Sequence, residues 1–449
     1  LLGFFFLLAC QPADPIEDKP NFLVLLSDNH YYSHLGCYGD PVVKTPNIDR
    51  IAKVGLRFTQ AYCAAPSCTA ARGALLAGQD IWRLREGANL HSTLPADIPT
   101  YTDLLEKVGY GVGHDRKGWG PGSVEAGGRT RNPAGYSYKD LAEFLSDSSV
   151  VDKPWSYWVS SRNPHRPFDL GAGIASGMDP TQVEVPPYLP DVPAVRSDIC
   201  DYYLEIQNFD EEVGAALQLL EEKGMLENTV VIICGDNGWM MPRGLANLYD
   251  FGTRVPLIIA WPQHFQGDRV IDDFVSLNDL APSILEIAGL DVPKEMNAHS
   301  LLPILASQAS GKVEEGRDFM VTARERHALC REGGLGYPGR AIRTDDFLYI
   351  QNTFPDRWPA GDSPLFGDID LHMLQQESPT KEYMMEFKDQ PEVAELYRMA
   401  FLKRPEEELF DLSKDPFQLQ NVAQESEYQE IKLRLQSRLQ HYLVANGDP

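Results

Sequence analysis

Phe22 to Ser27 reads FLVLLS, an apolar run in which hydrophobic and polar positions do not alternate. A strand with one face in water shows that alternation. A run without it needs cover on both faces, as strands of a helix-flanked parallel sheet have. Val230 to Cys234 (VVIIC) and Val255 to Ala260 (VPLIIA) repeat the pattern. Helical stretches lie between them: one opened by Thr45-Pro46-Asn47 and running Ile48 to Val54, one over Thr102 to Val108, and a long one from about Asp198 to Lys223. This order predicts an α/β fold built on a large, mixed, mostly parallel sheet covered by helices. The first run stops at Asp28-Asn29-His30 and VVIIC stops at Gly235-Asp236-Asn237-Gly238. Polar groups thus gather at strand carboxyl ends, where open α/β sheets place ligands.

A chain of 449 residues is too long for one small core. Its character changes after Gly333: Ala341 to Gln351 (AIRTDDFLYIQ) reads as two short strands about an Asp-Asp turn, and Tyr428 to Leu443 has helical spacing. We expect a leader and tether over 1–20, the large α/β domain over 21–333, and a small antiparallel sheet with a closing helix over 334–449. The opening LLGFFFLLAC is too short to span a bilayer, and Leu7-Leu8-Ala9-Cys10 resembles a bacterial lipobox. That predicts export, lipidation of Cys10, and a periplasmic or outer-membrane-anchored lipoprotein that touches membrane only through its lipid. The following QPADPIEDKP suits a flexible tether.

The 40 basic and 65 acidic side chains give a formal charge of -25. Such a surface repels nucleic acid, so no nucleic-acid partner is expected, and an anionic substrate needs a locally positive pocket. The cysteines, Cys10, Cys37, Cys63, Cys68, Cys200, Cys234 and Cys330, show no CxxC pair and no zinc-ligand spacing. Setting aside Cys10 and Cys68 leaves an odd number, so no disulfide framework is implied.

The stretch from Cys68 to Gly78, CTAARGALLAG, carries the chemistry. A cysteine just ahead of an apolar helical run sits at a helix N-terminus, where backbone N–H groups favour an anion. Arg72 follows one turn on, beside it. The stretch resembles the signature of the sulfatase family, with Ala70 where the signature has proline. Further segments agree in order: Cys37-Tyr38-Gly39-Asp40, Thr45 to Asp49, Asn163-Pro164-His165-Arg166-Pro167, Gly235 to Gly238, Asn247-Leu248-Tyr249 with Gly252 to Pro256, and Glu408 to Leu412 with Asp415-Pro416 and Asn421. The resemblance runs from about Phe22 to Ala423 and is strongest to the sulfamidase (heparan N-sulfatase) branch.

That resemblance implies an alkaline-phosphatase-like fold and hydrolysis of sulfate from saccharides, as an O-sulfate ester or N-sulfoglucosamine. It implies that a sulfatase-maturing enzyme oxidises Cys68 to formylglycine (3-oxoalanine), the nucleophile. One divalent cation, expected to be Ca²⁺, would be held by Asp28, Asn29, Asp236 and Asn237 with residue 68, since paired oxygen ligands at two strand ends suit a hard ion. Arg72 and Lys117 would clamp the sulfate, and His165 would serve the leaving group. Arg324, Arg326, His327 and Arg340 fall in a segment similar to that branch's substrate-facing loop. Asn29 replaces an acid, Trp119 a histidine and Leu245 a cation of the family pattern. His30 or His114 could cover the histidine and Arg243 the cation, with Trp119 itself facing substrate. Two other functions compete: a phosphoesterase of the same superfamily, and a weakened sulfatase-like lipoprotein that binds sulfated glycan without turnover.

Overall fold

Strand β1 (Asn21–Ser27) is buried along its whole length, and its two faces feed two cores. Phe22, Val24 and Leu26 join the core that holds Ala74 and Leu75, whereas Leu23 and Leu25 join the one that holds Ile199, Tyr202 and Ile206. This is why FLVLLS shows no alternation: each face meets helices rather than water. The computed structural model describes residues 19–368 and 378–449. The expected lipidation of Cys10 and most of the leader lie outside them.

The strands that follow are β2 (Leu56–Phe58), β3 (Ala61–Tyr62), β4 (Gly111–His114), β5 (Tyr136–Ser137), β6 (Trp155–Ser160) and β7 (Thr229–Gly235). Next come β8 (Leu257–Ala260), β9 (Arg269–Ile271) and β10 (Val275–Ser276). Eight of these form the main sheet in the order β5-β4-β6-β1-β7-β8-β2-β9, and β10 pairs β3 separately. Within the main sheet β8 alone runs antiparallel to its neighbours. The sheet is therefore mixed and mostly parallel. Helix Cys68–Ala77 lies against one face with every residue buried, and Gly78, in the left-handed region at φ 60°, ends it. Helix Pro193–Glu222, opened by its proline, covers the other face.

A second, four-stranded antiparallel sheet consists of β11 (Phe319–Arg324), β12 (Gly339–Thr344), β13 (Phe347–Asn352) and β14 (Glu407–Asp411) in that order. Its first strand starts before the boundary expected near Gly333, because Phe319 to Arg324 pairs in register with Thr344 to Gly339. Helix Gln429–Ala445 closes one face through Leu435, Leu439 and Leu443. The cysteines among the described residues are all free thiols. No helix among these residues is long and apolar enough to cross a membrane.

Candidate active site

The pairing of β1 with β7 builds the floor of the site. The strands run parallel with Ser27 opposite Gly235, so Asp28 and Asp236 leave the sheet side by side. Backbone bonds lock them there. Asp236 N–H donates to the Ser27 carbonyl at 3.0 Å, and Asp28 N–H to the Asn163 carbonyl at 2.9 Å. The Asn29 N–H donates to Asp236 Oδ1 at 2.9 Å. Asn29 holds a left-handed φ of 67°, a conformation asparagine tolerates better than most residues. The Tyr202 hydroxyl caps its carbonyl at 3.1 Å.

Cys68 begins its helix directly above this pair, after Ser67 in extended conformation. Its Sγ lies 3.4 Å from Asp28 Oδ1 and 3.6 Å from Asn29 Oδ1, and Asn237 Nδ2 approaches it at 3.6 Å. Arg72, one turn on, is fully buried. Its Nε donates to Asp236 Oδ2 at 2.7 Å, and Nη1 donates to the Gly118 carbonyl at 2.8 Å and to Ser160 Oγ at 2.6 Å. Nη2 stands 3.5 Å from Asp28 Oδ1. Lys117 Nζ reaches Asp28 Oδ2 at 2.6 Å. The His165 Nδ1–H donates to the Arg166 carbonyl, which fixes the ring.

These charges shape one another. Burial works against the Asp28 carboxylate, but Lys117, Arg72 and His165 outweigh it and hold its pKa well below the usual range. Asp236 is pushed up, by burial first and by Asp28 second, with Arg72 and Lys117 offsetting only part. Burial, then Asp28, pushes the Cys68 thiol well up. Two buried carboxylates side by side are a strained arrangement that a divalent cation relieves. The donors fit such an ion: ligand atoms of Asp28, Cys68 and Asp236 lie within 4.8 Å of one another, and Asn237 Oδ1 is a buried oxygen without a hydrogen-bond partner.

Above the cluster opens a cavity of about 550 Å³ whose wall includes Asp28, Cys68, Lys117, His165, Leu245 and His327. His327 is tied to the helix start through Nδ1 and Ser67 Oγ, 3.0 Å apart. Arg72 lies behind this wall rather than on it, so its placement suits bracing the two carboxylates more than touching a bound sulfate.

Several residues expected at the site lie elsewhere. Trp119 is in the core, its indole Nε1 against Gly73, and the structure places it off the cavity wall. His30 is engaged with Ser27 Oγ at 3.1 Å and the His34 carbonyl at 3.2 Å, and burial presses its pKa down to about 3. His114 Nδ1 donates to the Asp115 carbonyl at 3.0 Å. Neither ring lines the cavity. Arg243 is buried over the Tyr249 ring at 4.2 Å and bonds the Gln418 carbonyl, so it does not replace the cation missing at Leu245. Arg340 pairs with Asp448 and Glu325 at 2.7 Å each. Arg324 pairs with buried Asp368, which Arg331 also contacts. Of the expected substrate loop, His327 alone reaches the wall, whereas Arg324 and Arg340 brace it from behind.

Sequence reasoning passed over Gly118, Ser160 and Ser67, whose roles are backbone or hydroxyl contacts that no motif marks. It also passed over Arg162 and His91, which line the cavity mouth. Their signal was position alone: Arg162 follows the buried run WSYWVS of β6 at a strand's carboxyl end.

Comparison with known proteins agrees with this geometry. A family model described as Sulfatase matches residues 20–290. The chain is 26% identical to an ulvan-active sulfatase of Formosa agariphila over 479 aligned positions, spanning 96% of this chain and 76% of that protein. It is also 26% identical to the N-sulphoglucosamine sulphohydrolase of Homo sapiens over 491 positions, spanning 96% and 91%. One similar solved structure was determined in complex with its substrate D-glucosamine-2-N,6-O-disulfate, with TM-score 0.67, 17% identity, and 96% and 99% coverage. Another is a phosphonate monoester hydrolase of Agrobacterium radiobacter, with TM-score 0.67, 18% identity, and 95% and 96% coverage. At such identities the two structures establish the alkaline-phosphatase-like fold and nothing finer.

Proposed function

Because the chain belongs to the sulfatase family, we propose that it is a sulfuric ester hydrolase that removes sulfate from sulfated saccharides at the cavity above Cys68. The observation that carries this reading is the convergence on one point of Cys68, two strand-end carboxylates, Lys117 and His165. Relatives that act on ulvan and on N-sulphoglucosamine support saccharide sulfate as the substrate class.

In this reading a maturing enzyme would convert Cys68 to formylglycine, and Asp28, Asn29, Asp236 and Asn237 would hold Ca²⁺ beside it. The modified side chain would supply the nucleophilic oxygen, and the cation would supply positive charge to a site of two carboxylates. The chain's own residues do the rest. Asp28 keeps Lys117 charged at 2.6 Å, and Lys117 binds a sulfate oxygen. Arg72 holds Asp28 and Asp236 in register through its planar fork. His165, oriented by the Arg166 carbonyl, protonates the departing sugar oxygen. Leu245 and Pro121 line the cavity with apolar surface that limits water. Export behind the Leu7-Leu8-Ala9-Cys10 lipobox would put the enzyme where polymeric glycans are met.

The two-metal members of the phosphoesterase alternative need a second metal position. Among the described residues the Asp28, Cys68 and Asp236 group is the one cluster of that kind. The test is mass spectrometry of the Cys68 peptide after co-expression with a maturing enzyme, with a desulfation screen on defined sulfated oligosaccharides. We expect loss of the thiol, an aldehyde at position 68, and sulfate release that Cys68→Ala abolishes. An aldehyde-bearing protein with Ca²⁺ that releases sulfate from nothing in the screen would leave glycan binding as the function.

A further inference from the structure

The chain carries a formal charge of -25, yet the cavity mouth is positive. Among the described residues on its wall, Asp28 is the only carboxylate, against Lys117, Arg162, Arg166 and the histidines His91, His165 and His327. Most of this positive charge is already spoken for. Lys117 is held by Asp28 at 2.6 Å, and Arg166 is buried against Asp198 at 2.7 Å. Arg162 differs. It is exposed at the rim and enters no ion pair or hydrogen bond through its guanidinium among the described residues.

Its position is nonetheless well defined. The His165 N–H donates to the Arg162 carbonyl at 2.9 Å, which closes a turn over Arg162-Asn163-Pro164-His165. The ends of such a turn stand less than about 7 Å apart at Cα. The same turn is anchored to the catalytic floor, because the Asn163 carbonyl accepts the Asp28 N–H. Arg162 is thus carried at a set offset from the residue that serves the leaving oxygen. Also on the wall, His91 adopts a left-handed φ of 53°. After burial, Arg326 and Lys117 press its pKa down, which marks a local excess of positive charge.

One sulfate at the reacting centre is met by Lys117 and the groups around Asp28. It does not call on an arginine one turn-width away. We propose that Arg162 determines specificity by pairing with a second anionic group, a carboxylate or sulfate on the sugar that bears the scissile sulfate or on the ring beside it. The preferred substrate is then a saccharide with two neighbouring anions. Arginine suits that task, since its planar fork pairs with both oxyanion types. The inference rests on the sulfatase reading above.

The experiment compares kcat/KM for a monosulfated hexosamine, its disulfated counterpart, and a sulfated hexuronate in the unaltered enzyme, Arg162→Gln and Arg162→Lys. The expected result is a preference for the dianionic sugars that falls about ten- to hundredfold in Arg162→Gln, through KM more than kcat, and largely returns in Arg162→Lys. The hexuronate and disulfate arms tell a carboxylate from a sulfate as the second anion. A ratio of dianionic to monosulfated rates that Arg162→Gln leaves unchanged overturns the proposal. Inactivity of the unaltered enzyme on all three, with formylglycine confirmed, counts against the sulfatase reading instead. In that case calorimetric binding of the disulfated sugar decides: affinity lost in Arg162→Gln sustains the assignment, and affinity retained removes it.

Discussion

Replacing Arg72 by lysine separates charge from geometry at the centre of the site. Both side chains are cations, but lysine presents one ammonium where arginine presents a rigid fork. Arg72 uses Nε and Nη1 of the fork, 2.7 Å to Asp236, 2.8 Å to the Gly118 carbonyl and 2.6 Å to Ser160 Oγ, while Nη2 makes no hydrogen bond among the described residues and stands 3.5 Å from Asp28, all in a side chain with no exposed surface. A lysine can keep the Asp236 contact or the Gly118 and Ser160 contacts, not both. Asp236 retains the Asn29 N–H and Asn237 Nδ2, each at 2.9 Å, so it is not stranded. The loss is therefore about two charge-assisted hydrogen bonds, or roughly 3–6 kcal/mol at the usual 1.5–3 each. For 449 residues the unfolding entropy is about 0.9 kcal/mol/K, so the melting temperature drops only about 3–6 °C. Urea unfolding at constant slope is thus the sensitive assay. Activity should fall about a hundredfold or more, since Asp28 and Asp236 lose their common brace. A variant within 1 kcal/mol of the parent that keeps most of its activity would show that the positive charge alone suffices.

Chelation should lower stability and activity together, and Ca²⁺ at about 100 times its dissociation constant should restore about 2.7 kcal/mol; a melting curve indifferent to chelator and Ca²⁺ rules out a resident ion. His34 is buried among Tyr202, Tyr203 and Trp239, and burial lowers its pKa from 6.5 to about 4. Between those values the unfolded chain takes up a proton that the folded chain refuses, so stability falls as pH drops from 6.5 towards 4. This amounts to about 3 kcal/mol; His30, pressed down to about 3, adds a similar fall over the same range, so His34→Phe should remove about half of the slope measured by urea unfolding. Asp368→Asn leaves the buried Arg324 and Arg331 without their shared carboxylate. It should cost about 3–5 kcal/mol in urea unfolding. Asp368→Ala, which also removes the Oδ1 that accepts the Ala328 N–H at 2.7 Å and sets the loop that carries His327, should in addition raise KM.

The central strands and the site floor were readable because one physical rule governs both. A run such as FLVLLS or VVIIC must be buried on two sides, and its first polar residue must then emerge at the sheet end, which places Asp28 and Asp236. Direction is not written in such a run. Val255 to Ala260 looks like its neighbours, yet β8 from Leu257 runs antiparallel to β7. Register across a long connection is equally hidden, so Phe319 to Arg324 was not assigned to the small sheet whose edge it forms. Compensation among side chains was the least accessible part. Arg243 lies two positions from Leu245 in sequence, but its guanidinium turns to the Tyr249 ring and the Gln418 carbonyl, away from the cavity. Trp119 follows Lys117 closely, yet packs under the helix that bears Cys68.

Residue 68 is 3% exposed, and the whole of Cys68–Ala77 is buried. An enzyme that oxidises this thiol must grip the flanking backbone, which a buried helix does not offer. If Cys68 is oxidised as proposed, conversion would have to win a race and be finished while this stretch is still an open strand of nascent chain. Conditions that speed folding ahead of oxidation would yield a well-shaped protein locked in an inert thiol form that no later exposure to the oxidising partner could repair.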